Sequence, residues 1–337
     1  MIPSLYLIDI LRSAQPRRLA LWVLITALVM MAFWPDRTWA GQEEDWLAPP
    51  GMLYRVDNHR MHMNCTGSGS PSVILDAGLG GFSLEWMFVQ ESLSAQTRVC
   101  AYDRAGYGWS EPGPSPRATD QIVEELYDLL TAAGIPSPYV LVGHSFGGYN
   151  VLYFAKVHPQ LTAGIVLVDA SHPEQAERLA DKSEPVTASD PDTGSLVTTF
   201  QPEHMLSHYP EKLRELAIVL MSTRKAIETE QREFVNFRYS GALVQQSGRL
   251  PDVPLVVVTR GQREWPDTPR GHALEQTWQA MQRDLVGLLP DARQMIADKS
   301  GHLIHLEQPE IVVTAIRSVL DRIKQAHTPE VQPEIPR

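Results

Sequence analysis

Cysteine is scarce in this sequence, and several motifs that bind metals or nucleotides are missing. Only two cysteines occur among the 337 residues. The patterns C-x-x-C, H-E-x-x-H and G-x-x-x-x-G-K-[ST] are all absent, which excludes dithiol redox centres, zinc proteases of that type and P-loop nucleotide sites. The sequence therefore predicts no bound metal and no cofactor.

Positive charge is also in short supply. The chain has 29 lysines and arginines against 40 aspartates and glutamates, giving a formal net charge of −11. Because nucleic acids and anionic membrane surfaces attract basic clusters, an acidic chain without such clusters is a poor candidate for binding either. We expect a small-molecule substrate and no nucleic-acid partner. The sequence does not indicate an oligomeric state.

Long hydrophobic runs are limited to one segment, Leu19–Trp34, which follows Arg17 and Arg18. A helix of that length spans about 24 Å, less than the roughly 30 Å of a hydrocarbon core. The arrangement is typical of a signal peptide, residues 1–40, with cleavage near Ala40. A retained membrane anchor is the alternative. Both interpretations place the remaining chain outside the cytoplasm, as a periplasmic, secreted or membrane-anchored protein.

The rest of the composition is that of a globular protein, with 43% hydrophobic residues. Short, continuously apolar stretches alternate with amphipathic helical ones in 41–171 and again in 254–325. This alternation predicts an α/β fold with a mostly parallel sheet covered by helices on both faces. Residues 172–253 lack buried strands and favour a helical cap inserted between strands six and seven, and 326–337 are predicted to be a disordered tail.

The segment VLVGHSFGG places Ser145 between an apolar strand and a helix, with Gly143 and Gly147 on either side. A G-x-S-x-G pattern in that context is typical of a nucleophile at a tight strand-to-helix turn. The turn exposes the serine hydroxyl and directs the first helical amides towards the atom that it attacks.

A serine nucleophile needs a base and two donors for the developing oxyanion. The segment SGHLIHLEQPE lies between the last strand and the last helix, and we predict His302 as the base. Oxyanion stabilisation requires donors at about 2.7–3.1 Å. The N–H of Phe146 is one candidate, and the N–H of Leu79, in a glycine-rich loop after an apolar strand, is the other.

That glycine-rich loop also resembles half of a dinucleotide-binding fingerprint. Gly78 and Gly80 follow a strand, and Asp103 ends the next one, but Ser83 occupies the position of the third glycine. We therefore expect no nicotinamide or flavin cofactor.

Together, the segments DAGLGG, DRAGYGWS, GHSFGG, LVDASHPE and SGHLIHLEQPE resemble the α/β-hydrolase family, in that family's order and over 52–325. The closest resemblance is to capped bacterial serine hydrolases such as esterases. It implies an eight-stranded sheet of order 1-2-4-3-5-6-7-8. In that order the strands carrying Cys65 and Cys100 are neighbours, which implies a disulfide in an exported protein.

The acid that orients the histidine is the least certain member of the predicted triad. Asp169 ends the sixth strand, where some members of the family carry the acid. Glu264 follows the seventh strand, at the more usual place, and Asp267 comes shortly after it. Asp169 is the favoured candidate, with Glu264 as the alternative.

These features predict a serine hydrolase that cleaves a carboxylic ester or related acyl compound through an acyl-enzyme. Amidase or aminopeptidase, lactonase and C–C bond hydrolase activities on the same triad are alternatives, and a non-catalytic binding protein is a remote one. Apolar side chains of the insertion suggest either an acyl pocket or the insertion's own core. They are Met205, Tyr209, Met221, Phe234, Phe237 and Tyr239.

Overall fold

The computed structural model describes residues 47–180 and 202–327. Every element below belongs to the unit Pro49–Arg337. Its eight strands form one sheet of order β1-β2-β4-β3-β5-β6-β7-β8, as the resemblance implied. They are β1 Met52–Val56, β2 His59–Thr66, β3 Ser72–Asp76, β4 Val99–Tyr102, β5 Tyr139–His144, β6 Thr162–Val168, β7 Leu255–Arg260 and β8 Arg293–Ala297.

The sheet is parallel from β4 to β8, while β1 and β2 are antiparallel. All residues of β3, β5 and β7 are buried, because helices cover both faces and leave no polar side to these strands. The carboxyl ends of neighbouring parallel strands meet at one edge. Asp76, Ser145, Asp169 and Gly261 all lie at or just beyond those strand ends.

Eleven α-helices of four or more residues lie within the described ranges. They are α1 Met87–Leu93, α2 Thr119–Ala132, α3 Gly147–Val157, α4 Gln175–Leu179, α5 Pro202–Ser207, α6 Glu211–Met221, α7 Arg224–Val235, α8 Phe237–Gln246, α9 Pro269–Val286, α10 Ile304–Glu307 and α11 Pro309–His327. A short 3₁₀ helix, Ser83–Trp86, precedes α1.

The two cysteines are bonded to each other. Cys65 on β2 lies directly opposite Cys100 on β4 in the antiparallel register, and the two form a disulfide across Cα atoms 4.0 Å apart. The bond joins the antiparallel edge of the sheet to its parallel centre.

Helices α4 to α8 lie between β6 and β7 in sequence, within the predicted insertion. Met205 and Tyr209 are almost fully buried and pack with Phe82 and Tyr107 of the core. Phe237 packs on Phe146. Met221 joins the cluster of Met205 from its edge, whereas Phe234 and Tyr239 are exposed. The six apolar residues therefore do not form one pocket lining.

Several predictions concern residues outside the described ranges. These are the signal peptide or anchor of 1–40, with its apolar run Leu19–Trp34, and most of the tail 326–337, although α11 continues through His327. Within the described residues, none of the helices has the length and apolar content needed to cross a lipid bilayer.

Candidate active site

Ser145 lies in a tight turn between β5 and α3, with a φ of +49°. A non-glycine residue seldom adopts this conformation, and it marks local strain that the surrounding structure must hold. A Cβ added at Gly143 would lie 2.4 Å from the carbonyl oxygen of Gly147. One added at Gly147 would lie 2.5 Å from the carbonyl oxygen of Asp76. Only glycine allows this close passage of strand and helix, so the steric basis of the sequence prediction is present.

The loop after β3 packs against this turn. A Cβ added at Gly78 would lie 3.2 Å from the Cβ of Ser145 and 2.9 Å from Nδ1 of His144. Leu79, the predicted second oxyanion donor, directly follows Gly78. Phe146, the predicted first donor, follows Ser145 and is fully buried. Both predicted donors therefore come from segments in contact with the serine turn.

His302 follows β8 and lies beside the same turn. Its carbonyl oxygen is 3.0 Å from Nε2 of His144, the neighbour of Ser145, and the two imidazole rings are 4.6 Å apart. Nδ1 of His302 is 2.7 Å from Oδ2 of Asp169. This contact leaves Nε2 of His302 as the nitrogen available for proton transfer.

Asp169 is fully buried at the end of β6 and also has a positive φ, +39°. Arg260 donates to it from NH1 at 2.8 Å and from its backbone N–H at 3.2 Å, and Trp278 donates its indole N–H at 2.9 Å. Burial by itself would raise the pKa of Asp169, but the charge of Arg260 and the contacts with His302 and Trp278 lower it to about 2. Asp169 is therefore a fixed anion at neutral pH.

The alternative acids take other positions. Oε1 of Glu264 accepts a hydrogen bond from the backbone N–H of His302 at 2.6 Å, so this carboxylate holds the loop rather than the imidazole Nδ1. Asp267 is exposed and is bonded to His272 at 2.6 Å. Of the three candidates, the structure brings only Asp169 to Nδ1 of His302.

Two further histidines surround the site from within the core. His305 is buried beside Glu85, 3.3 Å away, and stacks on Trp86. Burial, followed by the charges of His305 and His302, lowers the pKa of His144 well below its usual range. His144 is therefore neutral at pH 7, and it bonds backbone instead of the nucleophile.

Arg260 and Trp278 are site residues that the sequence analysis did not identify. Arg260 ends the apolar strand β7, and a lone arginine at the carboxyl end of a buried strand was an available signal. The guanidinium also binds Glu275 at 3.0 Å and lies over the ring of Trp278 at 4.5 Å. Trp278 lies on α9, over a hundred residues from Asp169, and no local pattern pointed to it.

Comparison with known proteins supports the fold described above. The sequence model for the alpha/beta hydrolase fold matches residues 71–216, which include Ser145 and Asp169. The chain has the α/β-hydrolase fold.

Among curated relatives, the hydrolase is 27% identical to the uncharacterised protein YqjL of Bacillus subtilis, over 79% of this chain and 90% of YqjL. Several other relatives align over only 18–39% of their own length. Two solved structures share the fold at 20% identity. A membrane phospholipase A has a TM-score of 0.58, covering 92% of this chain and 99% of that one. The enol-lactonase of Burkholderia xenovorans has a TM-score of 0.54, covering 80% and 100%.

A buried arginine supports the loop that carries Leu79 in this hydrolase. Arg104 donates to the carbonyl oxygens of Ala77 at 2.6 Å and Gly78 at 2.8 Å, and it pairs with Asp76 at 2.9 Å. Its NH2 also pairs with Glu233 of α7 at 2.8 Å. Since these carbonyls accept from Arg104, the loop cannot rotate without breaking hydrogen bonds to a buried guanidinium.

Glu233 is fully buried and comes from the insertion, so the pair links the insertion to the core of the hydrolase. The same Glu233 oxygen, Oε2, also accepts from the hydroxyl of Tyr107 at 3.0 Å. Asp103, by contrast, accepts from the backbone N–H of Ser83 and of Trp109. Asp103 thus holds the backbone of the neighbouring loops.

Replacing Glu233 by alanine should lower the free energy of unfolding by about 3–5 kcal/mol, because it leaves a buried guanidinium without one of its two carboxylates. Urea denaturation followed by circular dichroism measures the change. Glu228→Ala on the same helix is the control, since Glu228 pairs with Arg224 at the surface, and its loss should leave stability nearly unchanged. Equal effects of the two substitutions would contradict the assigned role of the Arg104–Glu233 pair.

Proposed function

We propose that this α/β-hydrolase is a serine hydrolase that cleaves carboxylic esters or related acyl compounds through an acyl-enzyme. The observation that carries the proposal is the contact of His302 Nδ1 with Asp169 at 2.7 Å, beside a serine held at positive φ. A nucleophile, a base and a group that orients the base are together the requirement for this chemistry.

In the proposed first step, the hydroxyl oxygen of Ser145 attacks the substrate carbonyl carbon while Nε2 of His302 takes the hydroxyl proton. Asp169 keeps the imidazole in the correct tautomer and stabilises its charged form. The tetrahedral oxyanion accepts hydrogen bonds from the N–H groups of Phe146 and Leu79. Collapse of this intermediate breaks the bond to the leaving alcohol, which receives the proton from His302.

In the second step, water attacks the acyl group on Ser145. His302 removes a proton from that water, and the second tetrahedral intermediate releases the carboxylic acid and restores the serine hydroxyl. Asp169 stays ionised throughout, because its pKa of about 2 lies far below neutral pH.

A fluorophosphonate probe tests the proposal, because it reacts covalently with activated serines. We expect one probe molecule per chain, located by peptide mass spectrometry on the tryptic fragment that contains Ser145, and hydrolysis of p-nitrophenyl butyrate by the unlabelled protein. Prior labelling should abolish the hydrolysis. A folded protein that neither takes up the probe nor hydrolyses p-nitrophenyl acetate or butyrate is not a serine esterase.

A second candidate function, cleavage of aminoacyl esters or amides, is favoured by Glu230 on α7. Its carboxyl carbon would lie 3.3 Å from a Cβ placed on Gly80, the neighbour of Leu79. Among the described residues, none donates a hydrogen bond to this side chain. Burial, and then the charge of Glu233, raises the pKa of Glu230. A Glu230 carboxylate beside the oxyanion donors would repel the negative charge of the tetrahedral intermediate. A substrate ammonium group bound between Glu230 and that oxyanion would offset the repulsion.

Matched esters with and without a free α-amino group distinguish the two candidates. If the substrate is aminoacyl, kcat/KM should favour the amino ester by about 10–100-fold, the value of a hydrogen bond to a charged group, and Glu230→Gln should remove the preference. Glu228→Gln, on the same helix and at the surface, should keep it. A wild-type enzyme without a preference for the amino ester excludes this second candidate.

We also infer that the catalytic unit works outside the cytoplasm, in the periplasm or as a secreted or membrane-anchored protein. The inference is supported by the Cys65–Cys100 disulfide, because such bonds persist in oxidising compartments. Mass spectrometry of unreduced protein from its native compartment should find no free thiol. Two free thiols there would count against an exported protein.

A further inference from the structure

A cluster of two histidines and a glutamate lies where the insertion meets the His302 loop. His204 on α5 and His208 just beyond it are one helical turn apart, and Glu307 ends α10. Nε2 of His204 is 2.9 Å from Oε1 of Glu307, and Nε2 of His208 is 4.0 Å from the same oxygen. The two imidazoles therefore direct the same nitrogen atom towards one carboxylate oxygen.

His208 Nε2 is buried, and no group among the described residues makes a hydrogen bond with it. A buried polar atom without a partner costs about 1–3 kcal/mol. If the imidazole of His208 is neutral and Nε2 carries the lone pair, that lone pair faces Oε1 of Glu307. Neither atom then carries a proton, so the two cannot form a hydrogen bond with each other. A cation bound between the two would satisfy both atoms.

We propose that His204, His208 and Glu307 bind a divalent transition-metal ion, with Zn²⁺ the best match. Two imidazole nitrogens and a carboxylate oxygen suit Zn²⁺ better than Mg²⁺ or Ca²⁺, which prefer oxygen ligands. Ligand atoms around a tetrahedral zinc are about 3.3 Å apart, given bonds of about 2.0–2.1 Å. Oε1 of Glu307 is 2.9 Å from Nε2 of His204 and 4.0 Å from Nε2 of His208, and these distances lie on either side of that value.

The spacing of the two histidines fits this role. In the sequence HMLSH they are four residues apart, which places both side chains on one face of a helix. The third ligand comes from a segment about a hundred residues later in the chain, so the cluster exists only in the folded protein. The cluster matches neither H-E-x-x-H nor C-x-x-C, so these motifs did not reveal it in the sequence.

The other oxygen of Glu307 indicates the role of the proposed metal ion. Oε2 accepts from the backbone N–H of Gly301 at 2.7 Å and from the hydroxyl of Ser300 at 3.1 Å, the two residues before His302. A metal on Oε1 joins helix α5 to the loop that carries His302 through a single carboxylate. The site is structural, because Ser145 and Asp169 contribute no ligand, and its expected effect is stabilisation of the folded protein.

Calorimetric titration of the chelator-treated, full-length protein with ZnCl₂ tests the proposal. We expect one saturable site with a micromolar or lower Kd, a higher Tm with zinc, and no such effect of Mg²⁺ or Ca²⁺. His204→Gln and His208→Gln should each weaken binding by at least about tenfold, because each removes one of three ligands. They should also remove the rise in Tm.

His272→Gln is the matched control. His272 is exposed and paired with Asp267, away from α5 and α10 in sequence, and its replacement should leave zinc affinity unchanged. Both test substitutions lie at partly exposed side chains, so the variants should fold, and circular dichroism checks this. No saturable binding, or binding that survives both substitutions, would overturn the site. The latter outcome would direct attention to the buried cluster of Glu85, His144 and His305.

Discussion

Ser145→Ala should reduce kcat for ester hydrolysis by about 10⁶-fold, by comparison with the loss of the nucleophile in a well-studied serine protease. The substitution removes the proposed nucleophile from the turn between β5 and α3. Without it no acyl-enzyme forms, and only the oxyanion donors and substrate binding remain to assist water. Steady-state rates with p-nitrophenyl butyrate and burst kinetics of the wild type measure the loss.

Ser171→Ala is the matched control for this experiment. Ser171 is also a buried serine at the same edge of the sheet, and its hydroxyl makes no hydrogen bond within the described residues. Its backbone N–H donates to the carbonyl oxygen of Ser145 at 3.0 Å, a contact that alanine retains. Activity should therefore stay near the wild-type value. A Ser145→Ala protein that keeps activity within about tenfold of wild type would show that another residue is the nucleophile, since a triad member carries several orders of magnitude.

Asp169→Asn should reduce kcat by about 10⁴-fold. The amide cannot balance the charge of the imidazolium that forms on His302, and its NH₂ group favours the wrong tautomer of the ring. Asparagine has nearly the shape of aspartate and keeps an oxygen for Arg260 or Trp278, so the fold should survive. Kinetics at several pH values, with circular dichroism for each variant, separate lost catalysis from lost structure.

Glu264→Gln is the comparison that decides between the two acids. The Glu264 carboxylate accepts the backbone N–H of His302, and the carbonyl oxygen of glutamine accepts the same bond. The kcat of the Glu264→Gln variant should fall by less than about tenfold, in contrast to the loss expected at a triad acid. If Glu264→Gln is the more damaging substitution, the assignment of Asp169 is wrong.

Much of this molecule follows from short stretches of sequence. The G-x-S-x-G turn was predictable because strand, turn and helix are consecutive, and because the space at Gly143 is limited by Gly147, only a few residues away. The buried strands were predictable for a similar reason, since continuous apolar runs have no other stable environment. The order of those strands came from the family resemblance, which also implied the Cys65–Cys100 pairing.

Other residues had no local signal. Arg104 and Glu233 are separated by more than a hundred residues, as are Asp169 and Trp278, and no periodicity links them. The apolar residues of the insertion were ambiguous for the same reason. Only packing shows that Met205 and Tyr209 are interior while Phe234 and Tyr239 face solvent.

The sequence by itself determined the class of fold, the serine turn and the loop that supplies His302, because each depends on neighbours along the chain. Tertiary structure placed Asp169, and not Glu264, at Nδ1 of His302. Both carboxylates reach the His302 loop, and the sequence favoured one without excluding the other. In the folded chain one meets the imidazole and the other meets the backbone N–H. That difference depends on how β6, β7 and the His302 loop converge, which no single stretch of sequence encodes.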